Sequence, residues 1–238
     1  RVSPIMGEPA LWTVDELVAA SGGKIVGAVT KPLIGVSIDT RTITSGDVFV
    51  AIKGGTHDAH EFVPKALAAG AGLVIVSRVT EEMKATGPLL VVDNDPLEGL
   101  EKIGRASRAR SLAQIVGVTG SVGKTSTKEM LRVALSASGL THSSVASFNN
   151  HWGVPLTLAR MPRNAAYGVF EIGMNHVGEI TPLVAMVRPH VAIITTVEPV
   201  HLEFFSGIDA IADAKAEIFA GIEPGGAAVL NRDNPQFA

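Results

Sequence analysis

The sequence has 238 residues, of which 46% are hydrophobic and 18% are charged, with a net charge of −3 and no cysteine. This composition supplies enough apolar side chain for two domains and argues against disorder, and the lack of cysteine excludes thiol catalysis, disulfides and thiolate metal sites. The slight negative charge gives no reason to expect nucleic-acid binding, and no segment resembles a signal peptide or a membrane span, so we expect a soluble cytoplasmic protein.

The first part of the chain predicts a small mixed α/β domain. The capping box Thr13-Val14-Asp15-Glu16 opens a short helix that Gly22 and Gly23 end. The apolar pattern then predicts strands at 24–27, 36–38, 47–52, 73–76 and 89–92, with a helix at 61–69. We assign residues 1–88 to this domain and place its boundary between Pro88 and Ser111.

The second part, residues 89–238, predicts a parallel sheet. After a helix from Leu97 to about Arg108, strands alternate regularly with helices, as in sheets covered on both faces. The predicted strands are 115–118, 167–171, 191–196 and 227–230, and the predicted helices lie near 124–138, 154–160, 178–187 and 208–220. Because the chain starts at Arg1 and ends abruptly at Ala238, we expect a fragment whose second domain is truncated at its C-terminal end.

The strongest functional signal is the stretch QIVGVTGSVGKTSTKEML at 114–131. A buried strand breaks into small residues and then opens a helix, which is the context of a phosphate-binding loop. The candidate nucleotide-binding residues are Thr119, Gly120, Ser121, Val122, Gly123, Lys124, Thr125 and Ser126. Lys124 would contact the β- and γ-phosphates, and the Thr125 hydroxyl would ligate Mg²⁺. Val118 stands where the strict pattern has glycine, so the residues alone leave open an ordinary strand–helix turn with a surface lysine.

Three more polar residues are candidates for a ligand site. Glu171 and His201 lie at or after the ends of strands, where parallel sheets bind ligands, and Lys215 is a charged residue on an apolar helix face. Glu171 ends a strand and either reaches a Mg²⁺ held by the loop or faces water. His201 follows the next strand and is either a metal ligand or a capped loop residue. Lys215 falls on the apolar stripe of the helix 208–220, where its ammonium either reaches the surface or has a specific partner.

Two loops carry pairs of polar side chains. Asn149 and Asn150 lie in SFNNHWGVP, and Asn175 and His176 lie in GMNHVGEI, each pair just before a predicted helix. Amides beside a phosphate site can bind a substrate, although paired asparagines are also common in turns.

Together these motifs resemble the Mur ligases of peptidoglycan synthesis. The phosphate loop of that family reads T-G-x-x-G-K-T, as residues 119–125 do here, so Val118 is normal for the family. FNNHWGVPLTL, EIGMNHVGEI, AKAEIF and the N-terminal VSIDTRTITSGDVFVAIKGGTHDAHEF resemble the branch that joins D-alanyl-D-alanine to a UDP-N-acetylmuramoyl tripeptide. The resemblance covers essentially the whole chain and departs from that branch at Asp58-Ala59-His60, where Asp-Gly-His is usual.

The resemblance implies an ATP- and Mg²⁺-dependent ligase that forms an amide bond through an acyl phosphate. It implies a first Mg²⁺ at Thr125 and Glu171, and a second at His201 and a carbamylated Lys215. The implied substrate-binding residues are Ser37, Asp39, Thr40 and Arg41 at the uridine diphosphate end, and Asn149, Asn150, Asn175 and His176 near the nucleotide. Asn231 is implied in the adenine pocket. The family also has a third domain, so we expect this chain alone to be inactive. We also expect a monomer.

Other functions remain open at this point. A sibling ligase would add a different amino acid, and a folylpolyglutamate synthase would share the phosphate loop, although its relatives lack a uridine-diphosphate domain. A nucleotide-binding switch would hydrolyse or sense ATP without ligating anything. The set of Glu171, His201 and Lys215 favours a ligase, because a switch needs only the first metal.

Overall fold

The chain forms two compact units, residues 1–103 and 104–238. The computed structural model describes residues 10–55, 57–145, 148–199 and 205–237. The strand Leu89–Val91 belongs to the sheet of the first unit. The helix α4 (Pro96–Arg110) contains the division.

The first unit is built on a five-stranded mixed sheet. Its strands are β1 (Lys24–Val26), β2 (Gly35–Ser37), β3 (Asp47–Val50), β4 (Leu73–Val76) and β5 (Leu89–Val91), and its helices are α1 (Val14–Ser21), α2 (Val63–Ala68) and α3 (Glu81–Thr86). The strand order is β1-β5-β4-β3-β2, with β1 antiparallel to β5 and the other pairs parallel. The central strands β3 and β4 are buried along their whole length, which agrees with the apolar runs at 48–50 and 73–76.

The second unit is built on a five-stranded parallel sheet. Its elements are β6 (Gln114–Thr119), α5 (Lys124–Ser136), β7 (Thr141–Ser143), α6 (Gly153–Ala159), β8 (Tyr167–Glu171), α7 (Ile180–Val187), β9 (Val191–Ile194), α8 (Ile208–Ala216) and β10 (Ala227–Leu230). The predicted fold class, a mixed α/β domain followed by a parallel-sheet domain, is therefore confirmed. The sequence did not predict β7, because this edge strand is only three residues long and has no apolar run.

The strand order β10-β9-β6-β8-β7 determines where this unit can bind a ligand. From the central β6 the chain moves to β7 and β8 on one side, and then crosses to β9 and β10 on the other. Ligands of open parallel sheets bind at the carboxyl ends of the strands where the direction of winding changes. The ends of β6, β8 and β9, at Thr119, Glu171 and Ile194, meet at this point.

Apolar packing fixes these strand ends in place. The core of the unit includes Ile115, Phe170 and Val187, each with an exposed fraction of 0%. A buried arginine binds the C-terminal end of α7, where Nε of Arg108 donates to the carbonyl oxygen of Val187 at 2.8 Å. A cation at the last carbonyls of a helix is stabilising, since those oxygens lack partners within the helix. Among the described helices, none combines the length and apolar composition needed to cross a bilayer.

A histidine near the start of β6 makes the stability of this unit depend on pH. The Ile115 backbone N–H donates to Nδ1 of His190 at 2.9 Å, which requires an unprotonated Nδ1. Burial, and then the positive charge of Arg108, lowers the pKa of His190 below its usual value. The unfolded chain therefore binds the proton more readily. His190 contributes fully to stability above about pH 6.5, and the contribution is lost as the pH falls through the folded-state pKa.

When the pH is lowered from about 7.5 to about 5.5, we expect the free energy of unfolding to fall less in the His190→Asn variant than in the wild type. The asparagine Oδ1 can replace Nδ1 as the acceptor for Ile115, and it does not titrate. Part of the pH dependence should remain, because burial also lowers the pKa of His142. Urea unfolding at both pH values measures the difference, with the exposed His151→Asn as a control. Equal losses in wild type and His190→Asn would contradict this assignment.

Candidate active site

The loop between β6 and α5 has a backbone that needs glycine. Gly120 and Gly123 adopt φ values of 146° and 83°, where residues with a Cβ are strained. A Cβ at Gly120 would also overlap the hydroxyl of Thr195, and Gly123 is the N-cap of α5. Gly123 and Thr125 are exposed, so a ligand can reach the N–H groups at the start of α5.

The segment after β9 holds the loop in this shape. The Thr195 hydroxyl donates to the carbonyl oxygen of Val122 at 2.6 Å, and the Ser121 N–H donates to the carbonyl oxygen of Thr196 at 2.9 Å. The Ser121 hydroxyl also donates to the Glu198 carbonyl oxygen at 3.1 Å. Sequence reasoning did not single out these threonines. The available signal was a pair of hydroxyl side chains immediately after a buried strand.

Lys124 lies over the loop that it follows. Its Nζ donates to the carbonyl oxygen of Gly120 at 2.7 Å. Burial lowers the pKa of Lys124, while the negative charge of Glu171 acts in the opposite direction. The ammonium is thus held at the start of α5, where an anion would also meet the positive end of the helix dipole.

Glu171 joins three of the predicted segments. Its carboxylate is 1% exposed, and it accepts hydrogen bonds from the Thr125 hydroxyl at 2.9 Å and from Nδ2 of Asn149 at 2.7 Å. The alternative of a strand-end acid facing water is therefore wrong. A hydroxyl and a carboxylate side by side are hard oxygen donors, which is the ligand type that Mg²⁺ prefers.

The other paired polar residues lie in the loops just before α6 and α7. Oδ1 of Asn150 accepts from the backbone N–H of Gly153 at 2.9 Å, as is typical of a turn that starts a helix. The Asn175 N–H and the Nδ1 of His176 contact the carboxylate of Glu179, at 2.7 Å and 3.0 Å. Both Asn175 and His176 are exposed, so their side chains are accessible to a ligand.

Lys215 is buried in α8, with an exposed fraction of 3%. Burial, and then the positive charge of Lys124, lowers its pKa to about 8. Within the part of the chain that the structure describes, no group accepts a hydrogen bond from its ammonium. His201, the predicted ligand of the second Mg²⁺, lies outside the described residues. The described residues contain no group of three or more histidine, aspartate or glutamate side chains that could hold a metal ion.

Asn231 lines a cavity of about 230 Å³ beside β9 and α8. Phe219 and Val197 form part of its apolar wall, and Asn234 and Gln236 add amide groups. Oε1 of Gln236 is buried and has no hydrogen-bond partner among the described residues. A cavity with an apolar wall and an unpaired amide oxygen suits a flat heteroaromatic ring.

In the first unit, the predicted residues 37–41 form a tight polar turn. The Ser37 hydroxyl donates to the carbonyl oxygen of Asp39 at 3.0 Å. Arg41 donates to the Asp39 carboxylate from Nε and from the terminal nitrogen, at 2.9 Å and 2.6 Å. These hydrogen bonds lower the pKa of Asp39 to about 2. Thr40 lies between them, and the Arg41 side chain remains 82% exposed with its direction fixed by Asp39.

The departure at Ala59 leaves its loop well formed. Asp58 accepts the backbone N–H of His60 at 3.0 Å and caps the 3₁₀ turn Ala59–Phe62. Among the described residues other than glycine, only Arg188 has a positive φ. Alanine is therefore accommodated at position 59 without backbone strain.

Comparison with known proteins adds independent findings. Residues 118–238 match the family model described as the Mur ligase middle domain, and residues 33–115 match the one described as the Mur ligase family catalytic domain. The chain is 39% identical over 222 residues to the UDP-N-acetylmuramoyl-tripeptide–D-alanyl-D-alanine ligase of Escherichia coli, covering 93% of this chain and 48% of that protein. The chain thus spans about half the length of the curated relatives it matches.

Solved structures of similar sequence share the fold. The structure of MurF from Acinetobacter baumannii is 36% identical and superposes with a TM-score of 0.84, covering 95% of this chain and 50% of that one. MurF ligase from Thermotoga maritima in complex with ADP is 31% identical with a TM-score of 0.72, covering 87% of this chain and 48% of that one.

Proposed function

Since the chain belongs to the Mur ligase family, we propose that it acts in the ATP-dependent joining of D-alanyl-D-alanine to a UDP-N-acetylmuramoyl tripeptide. The choice within the family is supported by relatives that carry this ligase name and are 33–39% identical to the chain. We place the reaction in the cytoplasm, and we expect the protein to be a monomer. A sibling ligase that adds another amino acid is the alternative to be tested.

The observation that carries the proposal is the position of Glu171 between Thr125 and Asn149. Carboxylate and hydroxyl together would hold a first Mg²⁺ at the start of α5, and Asn149 keeps the second carboxylate oxygen in place. The loop also fits a nucleotide phosphate. The Thr119 hydroxyl is buried without a partner among the described residues, and the positive φ values of Gly120 and Gly123 give the loop a shape that residues with a Cβ do not adopt without strain.

Bound Mg²⁺ and ATP would supply the phosphoryl group that activates the terminal carboxylate of the tripeptide. The protein must bring two anions together, which requires positive charge and fixed donors at the point of contact. Lys124 supplies that charge, and the N–H groups at the start of α5 add the helix dipole. Asn231 and the neighbouring amides would bind the adenine ring in the cavity beside α8. Asn175 and His176 would contact the substrate from the loop before α7.

Residues 37–41 of the first unit are proposed to bind the uridine diphosphate end of the substrate. Ser37 and Asp39 shape the turn, and Asp39 aims the guanidinium of Arg41 outward. A fixed guanidinium pairs well with phosphate oxygens, because its donors match their geometry. Thr40 would add a hydroxyl donor at the same turn.

We expect the 238-residue chain to bind the UDP-N-acetylmuramoyl tripeptide, and Arg41→Ala to weaken this binding about 10-fold, the value of one charge-assisted hydrogen bond. Calorimetry measures both affinities. Arg78→Ala is the matched control, since Arg78 is also exposed and also pairs with an aspartate of this unit, Asp58. A folded chain that binds no UDP-muramoyl peptide would contradict the assignment of the first unit. Unchanged binding by Arg41→Ala would contradict the role of the arginine.

Substrate dependence separates the proposed ligase from its alternatives. The product of the complete gene should release phosphate from ATP only when both the tripeptide substrate and D-alanyl-D-alanine are present. A requirement for a shorter peptide and a single amino acid would identify a sibling ligase. Phosphate release without either substrate would favour a nucleotide switch.

A further inference from the structure

A second lysine of α5 is buried completely. Lys128 has an exposed fraction of 0%, although it lies only one helical turn beyond Lys124. Removing an ammonium from water costs several kcal/mol unless it is paired and hydrogen-bonded, and an apolar side chain of similar volume is often equally stable at such a place. A buried lysine is therefore unfavourable for packing alone, and its hydrogen bonds indicate what it does.

The ammonium of Lys128 holds the chain where it leaves the edge strand. Its Nζ donates to the carbonyl oxygen of Ser144 at 2.9 Å and also contacts the Glu129 carboxylate at 3.1 Å. Ser144 directly follows β7, the outermost strand of the sheet, and is 2% exposed. The Ser144 N–H donates to the carbonyl oxygen of Val169 on β8 at 3.3 Å.

Ser144 in turn positions Glu171. The backbone N–H of Glu171 donates to the Ser144 hydroxyl at 3.2 Å. This bond forms at the last residue of β8, immediately beyond the end of the pairing between β7 and β8 at Ser143 and Val169. Ser144 therefore contacts Lys128 through its carbonyl oxygen and Glu171 through its side chain.

The segment after Ser144 leads to Asn149, the second contact of the same carboxylate. The two oxygens of Glu171 are thus held by Thr125 and by Asn149, while its backbone is held by Ser144. Lys128 lies on the same helix as Thr125 and binds the segment that carries Ser144. One buried ammonium connects the helix that would bind the phosphates to the strand end that carries the acid.

We propose that Lys128 is a positioning residue that acts through Ser144 to fix Glu171 for the divalent cation of the bound nucleotide. The proposal rests on the proposed function, because it takes Glu171 as a carboxylate that holds the metal. Groups that orient a metal ligand typically change metal affinity 10- to 100-fold when removed. A lysine with a purely structural role would instead change the stability of the fold, and nucleotide binding would depend on the metal as it does in the wild type.

The test compares ADP binding to the 238-residue chain with Mg²⁺ present and with Mg²⁺ removed by a chelator. We expect Lys128→Met, which keeps the side-chain volume, to weaken binding of ADP with Mg²⁺ about 10- to 100-fold and to leave metal-free ADP binding within about twofold. Ser144→Ala removes one neutral hydrogen bond to Glu171 and should weaken the metal-dependent binding about 2- to 10-fold. Glu129→Gln is the matched control, since it alters a second partner of Lys128 and leaves the Ser144 contact in place.

Each outcome decides the proposal. Metal-dependent binding at the wild-type level in Lys128→Met and Ser144→Ala overturns it, as does an equal loss with and without Mg²⁺. If Lys128→Met does not fold, Ser144→Ala decides by the same criterion. A wild-type chain that binds ADP equally with and without Mg²⁺, or not at all, contradicts the proposed function itself. If ADP binding by the wild type depends on Mg²⁺ and both variants keep the same dependence, only the proposed role of Lys128 is contradicted.

Discussion

Lys124→Ala should weaken the binding of ATP and ADP about 100-fold, while the free energy of unfolding changes little. The ammonium donates to the carbonyl oxygen of Gly120 and does not pack in the core, so its removal leaves the sheet intact. A charge-assisted contact to phosphate is worth roughly 1.5–3 kcal/mol, and other phosphate contacts weaken when the loop loses its cation. Calorimetry with Mg²⁺ and ADP measures the effect directly on this chain.

The control for Lys124 is a cation on the same helix. Arg132 lies two turns further along α5, is 43% exposed, and pairs with Glu129. Arg132→Ala should bind ADP as tightly as the wild type. Normal nucleotide binding by a folded Lys124→Ala would show that the loop between β6 and α5 does not bind phosphate.

In the product of the complete gene, Lys215→Ala should lower the ligase rate more than about 100-fold, which exceeds the usual effect of removing a group that only orients a metal ligand. We expect the wild-type lysine to be a carbamate. Burial and the charge of Lys124 lower its pKa to about 8, so about a tenth of the amine is neutral at pH 7, far more than for an ordinary lysine. The neutral amine adds to CO₂ and loses a proton, forming an N–C bond and leaving an anion with two hard oxygens.

The carbamate would change the electrostatics around Lys124. A free ammonium at Lys215 repels the one at Lys124, whereas a carbamate attracts it. Together with His201, the two carbamate oxygens would hold a second Mg²⁺. Lowering the pH should release CO₂, because protonation removes the nucleophilic amine.

Three measurements test the carbamate. A short-chain carboxylic acid should partly restore the rate of Lys215→Ala, since it replaces the missing anion. Lys215→Arg should remain inactive, because it keeps a positive charge and cannot form the carbamate. Carbon-13 NMR of the 238-residue chain with labelled bicarbonate should show a carbamate signal that is absent in both variants. A fully active Lys215→Arg, or wild-type protein without the signal near neutral pH, would contradict the modification.

Local sequence determined the shape of the loop between β6 and α5 and the fold class of each unit. The loop needs a buried strand, two glycines with positive φ, and a helix start, and all of these are properties of neighbouring residues. The strands β3, β4, β6 and β8 are apolar enough to be recognised from composition alone. The apolar period of α8 likewise placed Lys215 on the side that the structure buries.

Tertiary structure decided which polar residues meet. Glu171 contacts Thr125 and Asn149 only because β6 and β8 are neighbours in the sheet, although β7 lies between them in sequence. The burial of Lys128 depends on the short edge strand β7, whose polar residues have no apolar pattern to reveal it. Local propensity acts over a few residues. The partners of Glu171 and Lys128 are set by strand order, which depends on burying all the apolar faces of the sheet at once.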